Sequence, residues 1–469
     1  MNPATPTSYR DDPIDPAAAL YHDDPEKGHG TPVSPPEYRA VVDQLQPSTS
    51  STDDRERRKK AWKRRFWKFV GYSILLFGTL HLLHKRHKLK HGFHQRPWFG
   101  KDSQEYHARY SPSICAEDLA WTEDPQASFE YPYRAHAQLS LPVAAEELSF
   151  IAEGLNAHGS IEISQTGEAG TDAVVDVEVE YRHPETLDAA TVCRTHSDEN
   201  KYGLGIFTPG HKHPHNERQL RFHVHVRLPS SDNLFINDLR TYLPLFVHHI
   251  ADLEDTVYFD KLSLDTAHTP ITVESLAGNH VRARSRNSAI RGKFNTSTEL
   301  DLETANAPIN VHVNLVSGDG EEPTRLALRT SNGHIDSEVT LQSTTAFATG
   351  GTFDISVRTS NAPLAVTVAD APIEHALALH ARTSNSPARV TLHSAYEGRF
   401  DVRSSKWFRP TVEWDADAKD PADKGRRRSV QVLRVKGESV KGSAAWEEGG
   451  EERGEVVVET SNSPLWLKL

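Results

Sequence analysis

Arg329, Arg358, Arg382 and Arg403 are each followed at once by two small hydroxyl residues: Thr330 and Ser331, Thr359 and Ser360, Thr383 and Ser384, Ser404 and Ser405. A guanidinium is a planar fork of donors that matches a carboxylate, sulfate or phosphate, and a neighbouring hydroxyl adds another donor. The same group at intervals suits an anion repeated along a polymer. The sequence therefore nominates Arg329, Arg358, Arg382 and Arg403, with Ser331, Ser360, Ser384 and Ser405, as a ligand-binding set. An acidic glycan or a lipid headgroup is the ligand it points to. A solvated run of surface charge is the competing reading of the same residues.

Histidines form a second group. His211, His213 and His215 precede the alternating run Leu220–Leu228, and His223 and His225 lie on its polar side. Alternate strand positions put imidazoles on one face, which suits a cation. The sequence places no carboxylate with them, so they read as a solvated hairpin, and no metal or cofactor is assigned. His81, His84, His87, His91 and His94 step by three or four residues and would share a helix face; they read as polar interfacial residues.

Catalysis is less well served. A polysaccharide-cleaving β-helix needs acids or a base clustered on neighbouring rungs. Asp301 and Asp401 belong to segments far apart, and no nucleophile elbow, phosphate loop or zinc-protease helix occurs. The chain reads as a non-enzyme. A polysaccharide-active enzyme and a purely structural scaffold remain the alternatives. A net charge of −12 over 469 residues argues against a nucleic-acid partner. Two cysteines, Cys115 and Cys193, are too few for a cysteine-rich zinc site; one disulfide and two separate buried thiols both fit.

The elements that position the arginines are marked by a repeat. Thr-Ser-Asn followed by Gly, Ala or Ser stands at Thr330, Thr359, Thr383 and Thr460, with a variant at Thr304. The equivalent corner positions are His268, Asn287, Asn306, Asn332, Asn361, Asn385, Lys406 and Asn462, mostly 19 to 29 residues apart. Ile355, Val357, Thr359 and Asn361 share one strand parity; after Ala362 and Pro363 the apolar residues resume at Leu364, Val366 and Val368. The parity has flipped, so the chain turns a corner there. Stacked corners would let the asparagine amides bond along the stack. If rungs stack in chain order, the four arginines form a column spaced about 4.8 Å apart.

These residues resemble the putative-adhesin repeat domain, whose members carry short strands around a similar Thr-x-Asn-Gly turn, as in uncharacterised fungal single-pass membrane proteins. The resemblance implies a β-solenoid from about Ser128 to Leu469 and carries over no catalytic residue. Here the turn glycine is mostly replaced by Ala or Ser followed by Pro.

Upstream, residues 66–83 form an apolar run that is short but sufficient to span a bilayer. The heavier positive flank is N-terminal, from Arg55 to Lys68, so the N-terminus is expected in the cytosol and the large part lumenal or extracellular. Residues 1–54 read as a disordered tail containing Pro35, Pro36, Glu37 and Tyr38, a WW-domain ligand pattern. Residues 55–65 are a basic juxtamembrane segment, 66–83 a signal-anchor helix and 84–127 a stalk. Residues 128–254 are a β region opening the outer domain, with an excursion near 239–254. Residues 255–469 are solenoid repeats with charged insertions at 415–429 and 447–454. Asn295 begins a glycosylation sequon on the outer side. The expectation is a mainly β, single-pass membrane protein of the secretory pathway or cell surface. Its partners would be the bilayer, a WW-domain protein and an acidic glycan.

Overall fold

The structure, a computed structural model, describes residues 114–124, 130–154, 156–165, 169–196, 200–209, 220–318, 320, 322–435 and 437–469. The apolar run 66–83, the Pro35–Tyr38 pattern, the histidines from His81 to His94 and His211, His213 and His215 lie outside these residues. Among the described residues no helix is long and apolar enough to cross a membrane.

The described residues are mainly β, with one short α-helix at Pro184–Asp188 and a 3-10 turn at Gly450–Glu452. Alternation decides the strand faces. Leu220, Phe222, Val224, Val226 and Leu228 are buried while Arg221, His223, His225 and Arg227 are not. Val175, Val177 and Val179 are fully buried on the antiparallel neighbour. Strands of this kind pair in two ladders. The first runs through residues 201–207, 147–153, 234–242, 257–266, 277–285, 299–303, 324–329, 352–358 and 376–382 in parallel. The second runs through residues 222–228, 159–165, 246–252, 271–275, 290–296, 309–317, 335–343, 364–370 and 388–391, also in parallel. The chain alternates between the two ladders, one strand in each per rung, and the inward residues of both join one apolar core. Antiparallel strands, including Tyr133–Pro142 and Asp172–Tyr181, close the N-terminal end.

Two details differ from the sequence reading. Strands begin at Cys115, inside the segment read as stalk. Cys115–Asp118 pairs with Thr191–His196, and Cys115 and Cys193 are joined as a disulfide with Cα atoms 5.6 Å apart. The stretch 239–254 is no excursion, since Leu234–Tyr242 and Phe246–Asp252 are regular members of the two ladders. Its alternation is masked because a histidine fills a core position: Phe246, His248 and Ile250 all point inward.

His248 is fully buried, its Nδ1 against the Phe246 carbonyl at 2.9 Å and its Nε2 against the Thr241 hydroxyl at 2.8 Å. Burial pushes its pKa down from 6.5 to about 4, despite the carbonyl contact. The folded state therefore resists a proton that the unfolded chain accepts. Its contribution is intact above pH 6.5 and is lost as pH falls from 6.5 towards 4, about 3 kcal/mol in all. Denaturant unfolding at pH 7 and pH 4.5 should show this loss, and His248→Gln should remove most of that pH dependence. An equal dependence in both proteins would exclude His248 as its source.

Candidate functional site: an arginine face on the first ladder

The corners stack as the repeat requires. Thr304, Thr330, Thr359, Thr383 and Thr460 turn inward and are buried. The asparagines turn outward and form a continuous amide ladder. Asn306 Nδ2 donates to Asn287 Oδ1 at 2.8 Å, Asn332 to Asn306 at 2.7 Å, Asn361 to Asn332 at 2.7 Å and Asn385 to Asn361 at 2.8 Å. Each amide satisfies its neighbour, which holds successive rungs in one register.

The ladder then leaves chain order. Asn462, not Lys406, donates to Asn385, at 2.9 Å. The last segment of the chain is inserted between earlier ones: Glu455–Glu459 pairs with Ala376–Arg382 on one side and Gly398–Arg403 on the other. Likewise Leu465–Lys468 lies between Ala388–Thr391 and Thr411–Glu413. Beyond Gly398–Arg403 come the antiparallel strands Ser439–Ala445 and Ser429–Val435.

This order corrects the arginine column. Three residues before each corner, the side chains follow the sequence Asp265, Arg284, Glu303, Arg329, Arg358, Arg382, Glu459, Arg403, each the register partner of the next. The signs alternate everywhere except at the three consecutive rungs of Arg329, Arg358 and Arg382. Arg403 is set apart by Glu459, to which its Nη1 donates at 3.1 Å, and it is also engaged by Asp401. Because Glu459 comes last of these residues in the sequence, sequence order could not place it between Arg382 and Arg403.

The two ends of the triplet each face an acid. Arg329 Nη1 donates to Asp301 at 2.6 Å, and Arg382 lies 3.9 Å from Glu459. Arg358 has a guanidinium as register partner on both sides. Partial burial, then Arg382 and Arg329, hold its pKa below the ordinary arginine value. An anion placed over Arg358 would relieve that repulsion. Backbone bonds of 3.2 Å link Ser331, Ser360, Ser384 and then Ser461 beside the arginines. Ser405 stands one rung further, its Oγ buried without a hydrogen-bond partner.

The acids considered for catalysis are committed elsewhere. Asp301 faces Arg282, Arg284 and Arg329. Burial opposes ionisation of Asp401, but Arg403 and Lys441 hold its carboxyl below the usual range. A cleft of about 630 Å³ opens at the other end of the same strands, beside Thr352, Asp354 and Ala378. Its guanidiniums are paired within the fold, Arg399 to Glu452 at 3.1 Å and Arg453 to Glu397. Asn295 is half-buried within Ile290–Thr304, and its Nδ2 donates to Glu254 at 2.9 Å.

No curated protein matches the chain. Among solved structures it is similar to a "putative cell adhesion protein" of Clostridium sporogenes, at 11% identity over 71% of this chain and 98% of that one, with a TM-score of 0.13. It is also similar to a "putative adhesin" of Parabacteroides distasonis, at 10% identity over 71% of this chain and 97% of that one, with a TM-score of 0.19. The model of a domain of unknown function, DUF7330, matches residues 279–413, which take in all four arginines and stop short of Glu459.

Proposed function

We propose that this chain is a membrane-anchored β-solenoid that binds, without catalysis, a ligand carrying repeated anionic groups, such as an acidic glycan or clustered lipid headgroups. The observation that carries the reading is the break in charge alternation at Arg329, Arg358 and Arg382. Everywhere else along that column each charge faces its opposite, so the triplet is a local concentration of positive potential built into the register. The apolar run at 66–83 with its basic N-terminal flank supports display from a bilayer, with the rungs lumenal or extracellular. Adhesion is the role that suits a rigid stack with a multivalent face. Pro35, Pro36 and Tyr38 would leave the cytosolic tail to recruit a WW-domain protein.

The test compares Arg358, whose register partners are both arginines, with Arg284, whose register partners are both acids. Arg358→Gln should weaken retention of the full chain on a sulfated polysaccharide such as heparin by about tenfold, the worth of one charge-assisted bond. Arg284→Gln, whose side chain already faces Glu303 at 3.5 Å, should change it little. Equal retention of wild type and the Arg358→Gln, Arg382→Gln double variant would end the proposal.

A further inference from the structure

His225 and His249 flank a single carboxylate on the outer face of the second ladder. Glu162, on Gly159–Gln165, is the register partner of His225 on Leu220–Leu228 and also of His249 on Phe246–Asp252. All three alternate with buried residues, Val224 and Val226, Ile161 and Ile163, His248 and Ile250, so all three project to the same solvent side. Neighbouring strands lie about 4.8 Å apart, which leaves the two imidazoles roughly 10 Å apart at their Cα atoms with the carboxylate midway. The histidines of this strand lacked an acid in the sequence. The fold supplies it from a strand far upstream.

Glu162 is the acid of this face that stands between the two imidazoles in register. Asp176 is held by Arg227 at 2.6 Å and Gln138 at 2.7 Å, Glu178 by Arg134 at 3.4 Å and Glu180 by Arg221. Glu162 makes no hydrogen bond or ion pair among the described residues. The imidazoles are held only by exchangeable surface contacts. His225 Nε2 meets Ser164 Oγ at 2.7 Å, and His249 Nε2 lies 3.4 Å from Glu274. Among the described residues no three such groups are gathered on one point, and binding here would require side-chain rotation.

We propose that Glu162, His225 and His249 form a binding site for a divalent transition-metal ion of the zinc class. Two imidazoles and one carboxylate are the donor set that such ions take, with bonds of about 2 Å, whereas calcium and magnesium require more oxygens. His223, two residues before His225, is engaged elsewhere, its Nδ1 meeting Ser160 Oγ at 2.9 Å and its Nε2 lying 3.6 Å from Glu180, so water completes the shell. The site is independent of the arginine face, which lies on the other ladder.

The test titrates the full chain with cobalt(II), read by visible absorption, and with zinc(II), read by calorimetry. Wild type should bind one equivalent more than Glu162→Gln at matched free metal, with the affinity of that equivalent reduced at least about tenfold in Glu162→Gln and in His249→Gln. These are exposed positions, so the variants should fold. A variant with His211, His213 and His215 all changed to alanine should retain the equivalent. Unchanged binding by Glu162→Gln, or loss of the equivalent in that triple variant, would overturn the assignment.

Discussion

Removing residues 455–469 should release the whole C-terminal end of the stack, not only the segment removed. Gly398–Arg403 has Glu455–Glu459 as its parallel partner, and Thr411–Glu413 has Leu465–Lys468. Among the described residues, the hairpin of Ser429–Val435 and Ser439–Ala445 joins the sheet through Gly398–Arg403. Val456, Val458, Leu465 and Leu467 are fully buried, and each contributes about 1.5–3 kcal/mol. Hydrogen exchange of the truncated protein should rise towards unfolded rates from residue 398 onward, while residues 257–343 keep their protection. Preserved protection of 398–413 would show that these strands do not depend on the inserted rung.

Glu397→Ala should cost about 3–5 kcal/mol, the scale for stripping one partner from a buried ion pair. Glu397 is 4% exposed. Its Oε1 accepts the backbone N–H of Trp446 at 2.7 Å and of Glu447 at 3.3 Å, and its Oε2 accepts Arg453 Nη1. Truncation would leave two backbone donors and a half-buried guanidinium without that acceptor. Arg428, just before the hairpin strand Ser429–Val435, lies over the Trp446 ring at 5.8 Å and donates to the Tyr396 carbonyl at 3.1 Å. Urea unfolding should show the loss, and Glu397→Gln, which keeps an acceptor, should lose less. A loss under 1 kcal/mol in the alanine variant would mean the loop is held elsewhere.

Much of the stack was legible because its local rules are simple. The alternation at Leu220–Leu228 and the parity flip across Asn361, Ala362 and Pro363 gave the buried faces directly. The recurring Asn gave the amide ladder, since an outward amide at a repeated corner meets its own kind one rung away. The order of rungs was not legible. Thr460 to Ser463 carries the same corner signature as Thr383 to Ser386, so the motif marks a rung without numbering it. Residues 414–454 are long enough for the chain to leave, form a hairpin and return one level lower. That reversal moves Glu459 into the arginine column and reduces four like charges to three. His248 hid the strand Phe246–Asp252, and buried Asp238 and Thr241 hid the end of Leu234–Tyr242, because polar side chains occupy positions that alternation reserves for apolar residues. Glu162 could not be joined to His225 or His249 from sequence, because only strand register sets them side by side.

The three-arginine face depends on which corner lies against Asn385. Adjacent parallel strands are about 4.8 Å apart, within reach of a disulfide, whereas two rungs span roughly 10 Å and are beyond it. Two double variants decide it under mild oxidation, with Cys115 and Cys193 already paired. Asn385→Cys with Asn462→Cys should cross-link rapidly within one chain, and Asn385→Cys with Lys406→Cys should not. Efficient cross-linking of 385 to 406, with none between 385 and 462, would put Arg403 beside Arg382 and contradict the three-arginine face.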